Sequence, residues 1–153
     1  MKTKVILLAL AVFFVGTVVA SADNPHMGTW KLNEAKSKFA GKARNNTVVY
    51  EASGDMTRVT VDGVDSMGGS THTEWTGKFD GKYYDLSGSA TADKRSYARV
   101  NSHTLRFREQ KAGKVVLTGT ITVSRNGKSR TVSTSGLNDK GAWIHNTAVY
   151  DKQ

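Results

Sequence analysis

The 153-residue chain has no cysteine and one proline, Pro25. The first absence excludes a disulfide framework, a Cys-ligated zinc or iron–sulfur centre, a thiol nucleophile and a lipid-bearing cysteine. The lone proline precedes every strand-like run, so it interrupts none of them. Aromatic residues make up only 8% of the chain and hydrophobic residues 38%, part of them gathered in the first twenty positions. Helical periodicity is nearly missing, and no stretch beyond position 22 is apolar enough to span a membrane. There is no Gly-x-Ser-x-Gly elbow, no phosphate-cradling glycine loop and no pair of neighbouring carboxylates set up for acid–base work. The acids are scattered, so no catalytic residue is assigned, and neither enzyme activity nor a cofactor is expected.

The first residues read as a targeting segment. Lys2 and Lys4 open it, Val5 to Ala20 is apolar apart from Gly16 and Thr17, and Ala20-Ser21-Ala22 is a small-x-small cleavage signal. This is the three-part layout of a secretory signal peptide, 1–22. The rival reading, a membrane anchor, needs ~20 apolar residues, more than the run supplies. Cleavage leaves a single domain, 23–153, exported to the periplasm or the extracellular space. Loss of Lys2 and Lys4 lowers the formal net charge from +9 to +7.

What is plentiful is turn chemistry. Ser53-Gly54-Asp55, Asp62-Gly63, Asp80-Gly81, Ala112-Gly113-Lys114, Asn126-Gly127 and Lys140-Gly141 punctuate the chain. Such residues tolerate the positive φ of tight hairpins. Between them lie runs rich in Val, Thr, Tyr and Ser, centred near 30, 49, 59, 73, 84, 98, 106, 119, 132 and 147. Val59 and Val61 alternate with Arg58, Thr60 and Asp62. Leu105, Phe107 and Glu109 alternate with Arg106, Arg108 and Gln110. Val115, Leu117, Ile121 and Val123 form an apolar face opposite Val116, Thr118, Thr120 and Thr122. Spacing of this kind predicts an all-β protein, a sandwich or a barrel. The long run from Lys114 to Arg125 would leave a hazardous open edge in a sandwich, and closure removes edges. The expectation is an antiparallel up-and-down β-barrel of about 8–10 strands, with one short helix after the first strand, where Asn33 can cap Glu34-Ala35-Lys36.

Gly28-Thr29-Trp30-Lys31-Leu32 near the start and Val149-Tyr150-Asp151-Lys152 at the end carry a resemblance. A Gly-x-Trp on the first of a series of up-and-down strands resembles the lipocalin and fatty-acid-binding protein (calycin) superfamily. The chain is also similar to a group of secreted bacterial proteins that share Gly-Thr-Trp-Lys-Leu-Asn, Lys-Ser-Lys-Phe (36–39) and a Val-Tyr-x-Lys-Gln ending. The first resemblance implies a barrel around a small hydrophobic or amphipathic ligand. The second implies export and carries no function. Two departures stand out. Fatty-acid-binding proteins have a two-helix lid, for which residues 33–46 leave no room. Their ligand-holding Arg two positions before the final-strand Tyr is replaced here by Ala148.

If Ala148 and Tyr150 face inward, so do Ile144 and Asn146, while Trp143, His145, Thr147 and Val149 face out. On 94–100 either Tyr97 and Arg99 or Ala98 and Val100 face inward. An inward Arg99 would need an anionic partner, either a ligand or Glu109. Trp75, Tyr83 and Tyr84 lie across a turn from one another and suit either a pocket wall or ordinary packing. The candidate ligand-binding residues are therefore Trp75, Tyr84, Tyr97, Arg99, Phe107, Asn146 and Tyr150. His72-x-Glu74 is a weak metal signal, and no metal is assigned.

The basic residues form patches: Arg95, Arg99, Arg106 and Arg108 on two adjacent strands, and Arg125, Lys128 and Arg130 around one turn. Two binding classes follow, with nucleic acid as a partner in neither and a monomer expected in both. One is a hollow barrel with a cavity of ~300–1,000 Å³ for a hydrophobic or anionic amphipathic ligand. The other is a solid-cored module whose basic surface meets an anionic envelope surface.

Overall fold

A computed structural model describes residues 24–138 and 140–153. The expected signal peptide, 1–22, lies outside the described residues. Ten antiparallel strands close into one up-and-down barrel: β1 (Gly28–Leu32), β2 (Arg44–Ser53), β3 (Met56–Val64), β4 (Ser70–Gly77), β5 (Asp80–Ser87), β6 (Lys94–Asn101), β7 (Thr104–Lys111), β8 (Lys114–Val123), β9 (Ser129–Leu137) and β10 (Trp143–Lys152). Each pairs with its sequence neighbours, and β1 pairs with β10 to close the ring. All ten strands fall where the alternation and turn chemistry put them. A single 3-10 turn, Glu34–Lys36, follows β1, and the Asn33 side chain accepts a hydrogen bond from the Lys36 amide as its N-cap. The architecture is compatible with a calycin-like fold.

Two of the six turn signals work differently. Asp62-Gly63 lies within β3, and the chain turns later, through Asp65–Gly69. Gly63 is needed there because a Cβ would sit 2.0 Å from the Arg44 carbonyl oxygen, beside a bulge in β2. Asp80-Gly81 opens β5, where Gly81 takes φ +82° next to a register shift. Another bulge changes β8. Glu109 pairs with Leu117 and Gln110 with Val115, so Val116 is the extra residue. Past it the alternation reverses: Val115 is 40% exposed and Val116 packs on the core, contrary to the simple period-two expectation.

Trp30 is fully buried, and its Nε1 donates to the His26 carbonyl at 2.9 Å. Gly28, at φ +107°, leaves room for the Lys152 side chain, which crosses to place its ammonium 5.2 Å from the Trp30 ring centre. Elsewhere the interior is filled by aromatic rings. Tyr97 is central, 4.8 Å from Trp75, 5.6 Å from Phe79 and 5.8 Å from Phe107 between ring centres. The β4–β5 ladder is thin, only Glu74↔Ser87 and Trp75↔Leu86. Trp75 spans this weak seam by donating Nε1–H to the Arg95 carbonyl of β6 at 2.9 Å.

Candidate functional site

Among the described residues, one hollow inside the barrel and one on its outer wall could each bind something. Inside, a cavity of about 80 Å³ is bordered by Tyr50, Arg95, Tyr97, Glu109, Arg130 and Tyr150 among apolar neighbours that include Phe107. The alternation on β6 resolves with Arg95 and Tyr97 inward. Arg95 Nε donates to Glu109 Oε1 at 2.8 Å, Nη2 donates to the same oxygen, and Nη1 donates to the Tyr97 hydroxyl at 3.2 Å. The Tyr50 hydroxyl donates to the same phenol oxygen at 3.4 Å. Burial opposes the charge on Arg95, but Glu109 together with the Tyr97 and Tyr50 phenols outweighs it, and the pKa is raised. Burial also raises the Tyr97 phenol and pushes Tyr150 up to about 12, so both stay neutral.

Of the expected ligand-binding residues, Tyr97, Phe107 and Tyr150 border this cavity. Trp75 and Tyr84 meet edge to face at 5.7 Å in the adjoining aromatic cluster, and Tyr84 donates its hydroxyl proton to Asp80 at 2.9 Å. Asn146 is half-buried, and its side-chain oxygen accepts from the Ala40 amide at 2.7 Å, outside the cavity. Arg99 shares the phase of Tyr97 but lies at the strand end, exposed, with its guanidinium 5.8 Å from the Phe79 ring centre. Glu109 pairs with Arg95 instead. Arg130, grouped by sequence with a surface turn, points into the barrel and is 2% exposed. The signal for it was present: Arg130 and Val132 share one face of β9.

On the outer wall, register aligns two cross-strand rows. One runs Ala98, Arg106, Thr120, Ser133, Thr147, and the other Ser96, Arg108, Thr118, Ser135, His145. Short hydroxylated side chains on β8 and β9 form a floor. Arg106 and Arg108 wall it on one side and His145 on the other, giving an open trough of about 390 Å³. Neither arginine is in an ion pair among the described residues. Trp143, two positions from His145 on the same face, is 50% exposed beside its cross-strand partner Leu137. The only carboxylate on β6–β9 is Glu109, and it points inward. Compared with protein-family models and with curated proteins, the chain matches none.

The charge is thus segregated around the wall. The exposed acids Glu51, Asp55, Glu74 and Asp85 sit on or beside β2–β5, paired with Arg58, Lys78 or Lys94. His72 lies between Asp62 and Glu74, at 2.6 and 3.2 Å, as an exposed ion-pair bridge. No group of three or more possible metal ligands is found among the described residues.

Proposed function

We propose that the protein is an exported, calycin-like barrel, monomeric and non-enzymatic, that presents its outer trough to an anionic glycan of the cell envelope. The observation that carries this reading is the trough itself: two arginines in no ion pair among the described residues, over a floor of hydroxyls without a carboxylate in its lining. Guanidinium groups hold phosphate or carboxylate through parallel hydrogen bonds. Threonine and serine hydroxyls can both donate to and accept from sugar hydroxyls. The exposed Trp143 offers a flat apolar surface at the same end of the wall. The interior supports the hollow-barrel alternative less well. Its cavity of about 80 Å³ is far below the ~300–1,000 Å³ typical of ligand pockets.

The test is titration of immobilised lipopolysaccharide, with and without its phosphates, against the wild type and the double variant Arg106→Glu/Arg108→Glu. The variant should bind roughly tenfold or more weakly, equivalent to about 1.4 kcal/mol or more, with an unchanged melt, and added salt should weaken the wild type. Binding indifferent to charge reversal would sink the proposal. So would a native mass spectrum, on protein purified from its own source, showing a co-purified apolar ligand.

A further inference from the structure

Among the described residues, Arg130 is a buried cation with no acceptor at Nε or Nη1. It is 2% exposed. Its guanidinium carbon lies 4.8 Å from the Trp30 ring centre and 5.0 Å from those of Tyr50 and Tyr150. Ring faces attract the charge but supply no acceptor to its N–H groups. Arginine does not escape by losing its proton. Glu109, the one buried acidic residue among the described residues, is engaged by Arg95. Around the cavity stand two guanidinium charges and one carboxylate, with the phenols of Tyr50, Tyr97 and Tyr150, so one positive charge is left unbalanced.

We propose that the cavity holds one small monovalent anion, of halide or nitrate size, against Arg130. The volume suits this occupant: about 80 Å³ accommodates such an ion and a water, whose share of liquid volume is ~30 Å³. It admits no acyl chain. The anion would supply the missing acceptor and neutralise the excess charge, which is costly to leave unpaired in a desolvated interior.

Thermal melts at equal ionic strength test this in sodium nitrate, sodium chloride and sodium gluconate, gluconate being too large to enter. A ligand that binds only the folded state raises the melting temperature, here by about 5 °C at saturating nitrate or chloride over gluconate. Arg130→Met should abolish the difference, while Arg106→Ser/Arg108→Ser, which alters only the trough, should keep it. Should Arg130→Met not fold, a bromide-soaked crystal of the wild type decides by anomalous scattering. A peak within hydrogen-bond distance of Arg130 supports the proposal, and an empty or water-filled cavity overturns it. Equal wild-type melts in all three salts overturn it too. A salt difference that disappears in the trough variant places the anion outside, which overturns the interior site and leaves the glycan reading standing.

Discussion

Replacing Trp30 with alanine should be the most damaging single change in the closing seam. Trp30 is fully buried, and truncating a large buried aromatic costs about 3–5 kcal/mol. The substitution also leaves the His26 carbonyl without the indole donor, a loss of about 1 kcal/mol. It strips one of three ring faces from Arg130, where a desolvated cation–π contact contributes about 0.5–2 kcal/mol. These terms overlap, so a total near 5 kcal/mol is expected, against about 5–15 kcal/mol for a whole domain. Trp30→Phe keeps a ring and loses mainly the hydrogen bond, for about 1–2 kcal/mol. Trp143→Ala removes a side chain that is half in water and should cost under about 1 kcal/mol. Urea melts followed by circular dichroism read the series. With a slope of about 1–3 kcal/mol per molar urea, Trp30→Ala should lower the midpoint by about 2 M or more. A midpoint lowered no further than in Trp143→Ala would refute the reasoning, because Trp30 would then not plug the core.

His26 should make the protein acid-sensitive. Burial first, then the positive charges of Arg130, Arg99, His103 and Lys152, lower its pKa from 6.5 to about 4. Between these values the unfolded chain binds the extra proton, so stability present above pH 6.5 drains away as the pH falls to about 4, by about 2 kcal/mol after allowance for partial solvent screening. His72, raised by its hydrogen bonds to Asp62 and Glu74, works in the opposite sense, stabilising on the acid side. His26→Phe should therefore flatten the acid limb of a stability–pH curve, and an unchanged limb would count against the assignment. For the buried ion pair, Glu109→Gln should cost about 3–5 kcal/mol by stranding Arg95, whereas Arg95→Met/Glu109→Leu should recover most of it. Chemical denaturation of the wild type and these two variants measures this, and a double variant as unstable as the single one would contradict it.

The ten strands were legible because hydroxylated and β-branched runs alternate between glycine turns, and a ring of short hairpins leaves few other solutions. The inward phase of β10 was not legible by alternation, because both of its faces hold apolar residues, and the structure decides it. Ala148 and Tyr150 are buried while Trp143 is half exposed. What escaped were effects of pairing between strands. The bulge at Val116 exists only relative to β7, and Gly63 reads as a turn residue until the Arg44 carbonyl is seen against it. The trough needed register, since Arg106 and His145 are distant in sequence and meet across β8 and β9. Arginine beside a turn is ordinarily solvated, so Arg130 reads as a surface residue. Three rings from β1, β2 and β10 override that reading. The cavity volume depends on how the aromatic side chains interdigitate, which alternation does not specify.

The β1–β10 pairing sets the order in which the molecule can assemble. Every other ladder joins neighbours in the chain and can zip as a hairpin in about 1–10 μs. Trp30↔Lys152 joins nearly the two ends of the described chain, so this contact carries the largest loop entropy and forms last. The rings around Arg130 come from β1, β2 and β10, and they converge only when the ring shuts. Until then the guanidinium remains hydrated. Its dehydration therefore falls on the closing step, where it raises the barrier to sealing the barrel and keeps a half-assembled sheet open to solvent until β10 is in place.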